Sequence, residues 1–501
     1  MPSTSLWMDV DVFPGAPPLT KDIQCDVAIV GSGIAGLSTA YEIAGRGRSI
    51  IVIDRGKICG GMTARTSAHL APLCDDLMSE MKRLRGLDLA RTFYESQAAA
   101  VDRIEAIARS EDIDCDFRRL DGYLFQGNGM PADVIDEELD VLREIGAPVE
   151  RIVGVPLSGA EKRHALRYKR QATFHPLKYL AGVALASARR GVRFFADSPV
   201  LDVHEENGAV TLRTERAVIR AAHAVIATNA SIGDRVVLHT KTAPYRTYVV
   251  AFALPRRALP DALYWDTEDP YHYVRIQPGG TGEDDFLLVG GEDHKSGEAD
   301  DAEARFERLE RWIRPFVPKL GAVTHRWSGQ VLDTVDYAGF IGRNPGTEFT
   351  YVAAGDSGQG LTHGVMGAML NTGLIVDGKS PWAECYAPDR VPLKAAKNFI
   401  LENVTAIKNL AEYAGHGEID SIDALAPGQG AILRQGLKKI AAYRDEDGQV
   451  SMYSASCTHV GCHLHFNSFE RCWDCPCHGS IFDTAGEVLN APAVTRLSPS
   501  K

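Results

Sequence analysis

The spacing of apolar residues changes several times along this chain. Residues 1–21 show no period, are rich in proline and include Pro17-Pro18; they read as an irregular arm. From Cys25 the run Cys-Asp-Val-Ala-Ile-Val is apolar enough for a buried strand, and it stops at Gly31-Ser32-Gly33-Ile34-Ala35-Gly36. A helical stretch follows from Leu37 to Ala44, then a second strand, Ser49 to Ile53, ending at Asp54. Over 76–170 the period is largely helical, with charges expected to form a solvated face. Val200 to Ala230 reads as strands around a turn at Asn207-Gly208. Further strands are predicted at Tyr245–Val250, Tyr271–Ile276 and Phe286–Gly291. Past Pro381 a connector begins, with an amphipathic helix predicted over 395–414 from Ile400, Val404, Ile407, Leu410 and Ala414. After Pro427-Gly428-Gln429-Gly430, short alternating strands read as a small all-β domain.

Composition narrows the possibilities without naming one. A chain of 501 residues, 45% hydrophobic and 24% charged, has material for roughly two to four domains. The net charge of −12 argues against nucleic acid as the main partner. No apolar run is long enough for a transmembrane helix, and the first residues lack the basic and apolar regions of a secretory signal. Five of the ten cysteines fall between 457 and 477; the other five are scattered, as reduced core residues of a cytoplasmic protein would be.

Two stretches carry chemistry. In the first, Gly31 permits a tight turn, Gly33 lets backbone approach a pyrophosphate, and Gly36 lets helix pack on strand. The helix start offers oriented N–H groups and the positive end of its dipole to phosphate. Asp54, at the end of the second strand, is placed for ribose hydroxyls. The order strand, glycines, helix, strand, acid marks a dinucleotide site, and it does not choose between FAD and NAD. The loop Gly60 to Ser67, with Ala64, Arg65, Thr66 and Ser67, is small, polar and basic enough to lie along a flavin diphosphate.

The second stretch reads Cys457-Thr-His459, then Cys475-Pro-Cys-His478. Two cysteines and two histidines at these spacings can hold zinc, or a Rieske [2Fe-2S] centre with thiolates on one iron and imidazoles on the other. Gly461, Pro476 and Gly479 suit two tight loops pinching a small inorganic cluster, and each loop carries a further cysteine for which a zinc site has no use. The segment resembles the Rieske family in its cytochrome bc-type version. That resemblance implies Cys457, His459, Cys475 and His478 as ligands, a Cys462–Cys477 disulfide, and Ser480 donating a hydrogen bond to a cluster sulfur. One departure is Phe482, where that branch usually has tyrosine; a missing hydroxyl donor should lower the potential.

Residues 22–390 resemble the D-amino-acid-oxidase-like (glycine/sarcosine oxidase) family of FAD oxidoreductases. Besides the glycine turn, the likeness rests on the returning strand Ala-Val-Ile-Ala-Thr-Asn-Ala and on a closing motif through Gly355, Asp356, Gly358 and Gly360. It implies FAD contacts at Ile34, Ala35, Arg55, Val200, Leu361 and Thr362 in addition to the residues above. It also implies a sheet over the flavin, where a tyrosine–arginine pair commonly holds a substrate carboxylate. Alternation puts Tyr271, Tyr273 and Arg275 on one strand face, so Tyr273 and Arg275, with Tyr248 nearby, are the expected substrate-facing residues. A cross-strand aromatic pair with a surface arginine is the other reading of that pattern. Asp293-His294-Lys295 is a candidate pocket rim or a solvated turn. Several oxidases of the family carry an oxygen-activating lysine just ahead of a glycine here; this chain has Leu288 and Val289, pointing away from oxygen as acceptor.

The expected fold is therefore an α/β FAD-binding Rossmann-type domain with an α+β substrate domain of mixed sheet, followed by an all-β Rieske domain. The expected bounds are 1–21 for the arm; 22–95 with 171–240 and 346–390 for FAD binding; 96–170 with 241–345 for substrate; 391–426 for the connector; and 427–501 for the cluster. The implied activity is oxidation of a C–N bond of an amine or amino acid, with electrons leaving through the cluster to an external acceptor. The reverse flow from an external donor, and a non-catalytic redox module, remain alternatives.

Overall fold

In a computed structural model of the chain, residues 1–232, 238–280, 282, 284–391, 393–395, 409, 412, 415–436 and 438–500 are described. Ile23–Val30 ends in four consecutive buried residues because it lies inside a sheet, parallel to Ile50–Ile53 on one side and Val218–Asn229 on the other. A parallel strand covered on both faces has no polar side to show. The sheet runs Phe340–Arg343, Thr350–Ala354, Val218–Asn229, Ile23–Val30, Ile50–Ile53, Arg193–Phe195, with Val200–Glu206 and Ala209–Thr214 attached as a hairpin. The hairpin turns at Asn207 and Gly208, both at positive φ (54° and 76°), as a type I′ turn demands.

A second, nine-stranded mixed sheet follows the order Val323–Thr334, Thr242–Pro255, Asp284–Lys295, His272–Gln277, Leu263–Asp266, Arg118–Phe125, His164–Thr173, His69–Leu70, with Val149–Val153 beside His164–Thr173. The expectation of a largely helical 76–170 is corrected here. Helices Met78–Arg85, Leu87–Ser110 and Asp133–Glu144 alternate with three strands of that sheet. Those strands are charged, and pairs such as Arg167–Asp121 and Lys169–Glu150 satisfy the charges across the sheet, which hides their alternation. The chain also crosses between sheets inside the expected domain bounds: His69–Leu70 joins the second sheet and Phe340–Arg343 the first.

The last part holds two small antiparallel sheets, Gly430–Gln435 to Val450–Ser454 and His465–Asn467 to Val488–Asn490. Their core is Leu464, Trp473, Phe482 and Leu497. The helix predicted over 395–414 lies outside the described residues except at 395, 409 and 412. Among the described residues no helix is long and apolar enough to cross a membrane.

This small unit is seated on the rest by buried charge. Both carboxylate oxygens of Asp474 accept from Arg246 Nη2 at 2.7 Å, with the two side chains 2% and 1% exposed. Glu470 pairs with Arg65 at 3.0 Å and accepts from Ser328 Oγ and Ser3 Oγ at 2.6 Å each. Arg65 also donates to the carbonyls of Met1 and Ser3, so the irregular arm is drawn into the same network, and Trp7 behind it is fully buried.

Breaking one partner of a buried pair leaves the other charge desolvated. Asp474→Ala is expected to cost about 3–5 kcal/mol in chemical denaturation, whereas the double variant Arg246→Met/Asp474→Leu recovers most of it.

Candidate active site and metal centre

The glycine turn works by close approach. Gly31 sits at φ +97°, and a Cβ there would lie 2.5 Å from the Ala227 carbonyl oxygen. A Cβ on Gly36 would lie 1.9 Å from the Gly31 carbonyl oxygen, so the helix Ile34–Ala44 rests directly on the strand end. In front of this turn opens a cavity of about 320 Å³. Gly31, Gly33, Ile34, Ala35, Asp54, Arg55, Arg65, Thr66, Ser67 and Val200 line one end of it. Gly355, Asp356, Gly358, Gly360, Leu361 and Thr362 bring a second helix start, Gly360–Thr372, to the same space. Gly36 and Ala64 are not in the wall: Gly36 packs behind it, and the Ala64 carbonyl accepts from Ser5 Oγ at 2.5 Å. Asp54 accepts from the Ser32 N–H and hydroxyl at 2.7 and 2.6 Å, and burial raises its pKa above the ordinary range.

The glycine turn, the helix start at Ile34 and the nearby Arg55 fit the diphosphate of FAD. Arg55 lines the cavity while donating to the carbonyls of Val488 and Ala493 at 3.0 and 3.3 Å. Leu489, Asn490 and Ala491 of the small unit complete the wall. No motif announced that contact; it exists only once the two parts are docked.

At the other end, the second sheet presents Tyr271, Tyr273, Thr247 and Asp293, with Asp75 opposite. Tyr271 donates to Asp75 at 2.7 Å, and the Tyr273 and Thr247 hydroxyls are 3.1 Å apart. Burial, opposed by the Tyr271 hydrogen bond and helped by Asp356, holds Asp75 up at about 6. Burial raises Asp293 to about 7, Thr247 opposing and Asp75 adding.

Two of the three expected substrate-facing residues are elsewhere. Arg275 is fully buried, donating to the carbonyls of Ala68 and Phe174 at 2.7 and 3.2 Å and to Gln277 Oε1, beyond the cavity wall. The alternation is right, but two residues further along the strand the face meets the 67–68 and 174 backbone instead of open space. Tyr248 points to the opposite face, bonded to His294 Nε2 at 3.0 Å and packed edge-on to Phe306. Its neighbour Thr247 takes the cavity side. Asp293, His294 and Lys295 end the strand Asp284–Lys295 instead of forming a turn, and of the three only Asp293 reaches the cavity.

The cysteine–histidine loops stand side by side. Cys457 and Cys475 are 2% and 1% exposed, and the His459 and His478 rings lie 5.1 Å apart at 86°. Cys462 and Cys477 are joined as a disulfide across the loops. Ser480 is buried; its oxygen accepts from the Ala493 N–H at 3.0 Å, and its hydroxyl lies against Cys457. His478 Nδ1 is shut off from water without a hydrogen-bond partner among the described residues. Paired thiols, paired imidazoles and an oxidised second cysteine pair fit a [2Fe-2S] centre; the oxidised pair has no part in a zinc site. The loops face the body of the protein: Gln330, in the cavity wall, donates from Nε2 to the Gly479 carbonyl at 2.8 Å, and His239 lies 4.7 Å from the His459 ring and 5.7 Å from that of His478.

Comparison with known proteins follows these two halves. Residues 26–373 match the family described as FAD dependent oxidoreductase, and residues 417–500 match the Rieske [2Fe-2S] domain. Over 498 residues (98% of this chain, 96% of the relative) it is 29% identical to the "Putative Rieske 2Fe-2S iron-sulfur protein YhfW" of Bacillus subtilis (strain 168). Over 359 residues (69% of this chain, 82% of the relative) it is 26% identical to the gamma-glutamylputrescine oxidoreductase of Escherichia coli (strain K12). In fold it is similar to glycine oxidase from Geobacillus kaustophilus, with a TM-score of 0.62 at 19% identity, covering 74% of this chain and 99% of that one.

Two variants probe the two sites. Gly36→Ala is expected to cost about 1–3 kcal/mol through overpacking and to lower bound flavin per chain, read by thermal unfolding and by absorbance of purified protein. Ser480→Ala is expected to lower the cluster midpoint potential by on the order of 50 mV, the equivalent of one hydrogen bond of about 1 kcal/mol, read by an EPR-monitored redox titration.

Proposed function

The chain belongs to the FAD dependent oxidoreductase family and carries a Rieske [2Fe-2S] domain, and on that premise we propose that it oxidises a C–N bond of an amine or amino acid and delivers the electrons through the cluster to an external carrier protein, in the cytoplasm. The observation that carries this reading is the seating of the small unit: its residues 489–491 form part of the flavin cavity wall, and Gln330 joins that wall to the loop after His478. When bound, the flavin supplies a two-electron acceptor and the cluster a one-electron outlet.

The protein's share is binding and orientation. The glycine turn and the two helix starts hold the dinucleotide; Cys457, His459, Cys475 and His478 are the proposed cluster ligands. Tyr271, Tyr273 and Thr247 bound the space where a substrate would lie. Leu288 and Val289, both buried in the sheet, offer no cation to dioxygen, in keeping with a protein acceptor.

Anaerobic mixing with amines and amino acids tests the reading. The expected result is bleaching of the flavin bands followed by the EPR signal of the reduced cluster, with turnover far faster on a one-electron acceptor than on oxygen. Bleaching without cluster reduction would overturn the electron route, and a flavin that no amine or amino acid reduces would overturn the activity.

A further inference from the structure

The far end of the flavin cavity is acidic, and among the described residues no Arg or Lys side chain lines it; Arg305 acts on Asp293 from outside the lining. Asp75 and Asp293 face it, and neither makes an ion-pair contact with an Arg, Lys or His among the described residues. Asp293 Oδ1 is shut off from bulk water and accepts no hydrogen bond there. The other three acids in the wall are already satisfied: Asp54 accepts from the Ser32 N–H and hydroxyl at 2.7 and 2.6 Å, Asp356 from the Leu332 N–H at 2.7 Å, and Glu138 from the N–H groups of Met78 and Ser79 at 3.0 and 2.8 Å. Asp75 is exposed toward the cavity and accepts from Tyr271, so the cost of a partly desolvated, unpaired carboxylate falls on Asp293 unless a ligand brings the missing charge.

The walls around these acids have the same preference. Tyr271 and Tyr273 lie 5.8 Å apart, and Tyr168 is stacked on Trp265 at 5.4 Å, all four in the cavity lining. Aromatic faces attract a desolvated cation and give nothing to an anion. Only two Arg or Lys side chains line the cavity among the described residues, and both are committed elsewhere: Arg65 to Glu470, Arg55 to the Val488 and Ala493 carbonyls. Arg275, the expected carboxylate anchor, is spent on backbone carbonyls behind the wall.

We propose that this end of the cavity is a cation subsite, and that the substrate is a diamine or polyamine whose second, non-reacting nitrogen is held as an ammonium by Asp75 and Asp293. The inference rests on the C–N oxidation proposed above. The reacting nitrogen must be uncharged when its carbon gives up hydride, so it cannot neutralise these carboxylates; the charge has to come from another group of the same molecule. A free amino acid fails twice, bringing a carboxylate to an acidic wall with no base to receive it.

The test compares putrescine, spermidine, n-butylamine, alanine and glutamate as reductants of the flavin in the holoenzyme without oxygen. Putrescine or spermidine is expected to exceed n-butylamine by at least about 10-fold in kcat/KM, the worth of one charge-assisted hydrogen bond, with the amino acids slower still. Asp293→Asn, which keeps size and shape, is expected to lower kcat/KM about 10- to 100-fold more for the diamine than for n-butylamine, with flavin content unchanged. Asp75→Asn serves the same comparison should the first variant lose flavin. Equal rates for n-butylamine and putrescine, or a preference for an amino acid, would overturn the cation subsite while leaving C–N oxidation standing. A flavin reduced by none of the five would fail the underlying reading as well.

Discussion

The arrangement depends on two carboxylate–guanidinium contacts buried between the small C-terminal unit and the flavin-binding body. Asp474 meets Arg246 and Glu470 meets Arg65 where water cannot compete, so each charge has to be matched by its partner or by protein dipoles. Burial alone would raise Glu470, but Arg65 and Arg246 together hold it below the ordinary carboxylate range. Such contacts do not tolerate sliding: a small displacement would strand several charges at once. Charges placed this way fix register more than they add stability, and the register they fix puts the metal-binding loops against the cavity wall.

That register has a consequence for electron flow. A carrier that swings must undock and pay to rehydrate its interface at every cycle. Here the docked state already forms part of the flavin cavity, through Leu489, Asn490 and Ala491. Gln330 has one face in that cavity and its amide on the carbonyl of Gly479, the residue after His478. His239 packs against both candidate imidazole ligands. The Gln330 contact joins the cavity wall to the loop of His478 through a single hydrogen bond in the docked arrangement.

The chemistry of the two centres was legible in the sequence because each depends on local constraints. Gly31 and Gly36 are required by contacts of a few ångströms with neighbouring backbone, and the cysteine–histidine loops are short enough to be read as spacing. The substrate end was legible only in part. Period-2 alternation gives the face of Tyr271, Tyr273 and Arg275, but not where along the strand that face stops bordering space and starts bordering backbone. Asp75 could not be found at all, since it reaches the site from a connecting segment across the cavity. The strands at Arg118–Phe125 and Val149–Val153 were masked by charges that only a paired neighbour makes sense of.

The cavity that results is electrostatically two-ended. Near the glycine turn, the helix start at Ile34 and the basic group of Arg55 meet the place for a diphosphate, while the start of Gly360–Thr372 comes in beside Asp75, which lies against Gly358. Beyond the place for the diphosphate lie Asp75 and Asp293, both raised above ordinary carboxylates first by desolvation, with the Asp356 charge adding at Asp75 and the Asp75 charge adding at Asp293. The first end gains nothing until an anionic cofactor arrives, and the second gains nothing until a cation does. A flavin lying between them would have its phosphates and its reacting ring in fields of opposite sign, so the fold orients cofactor and substrate by charge before any specific contact to the reacting bond is made.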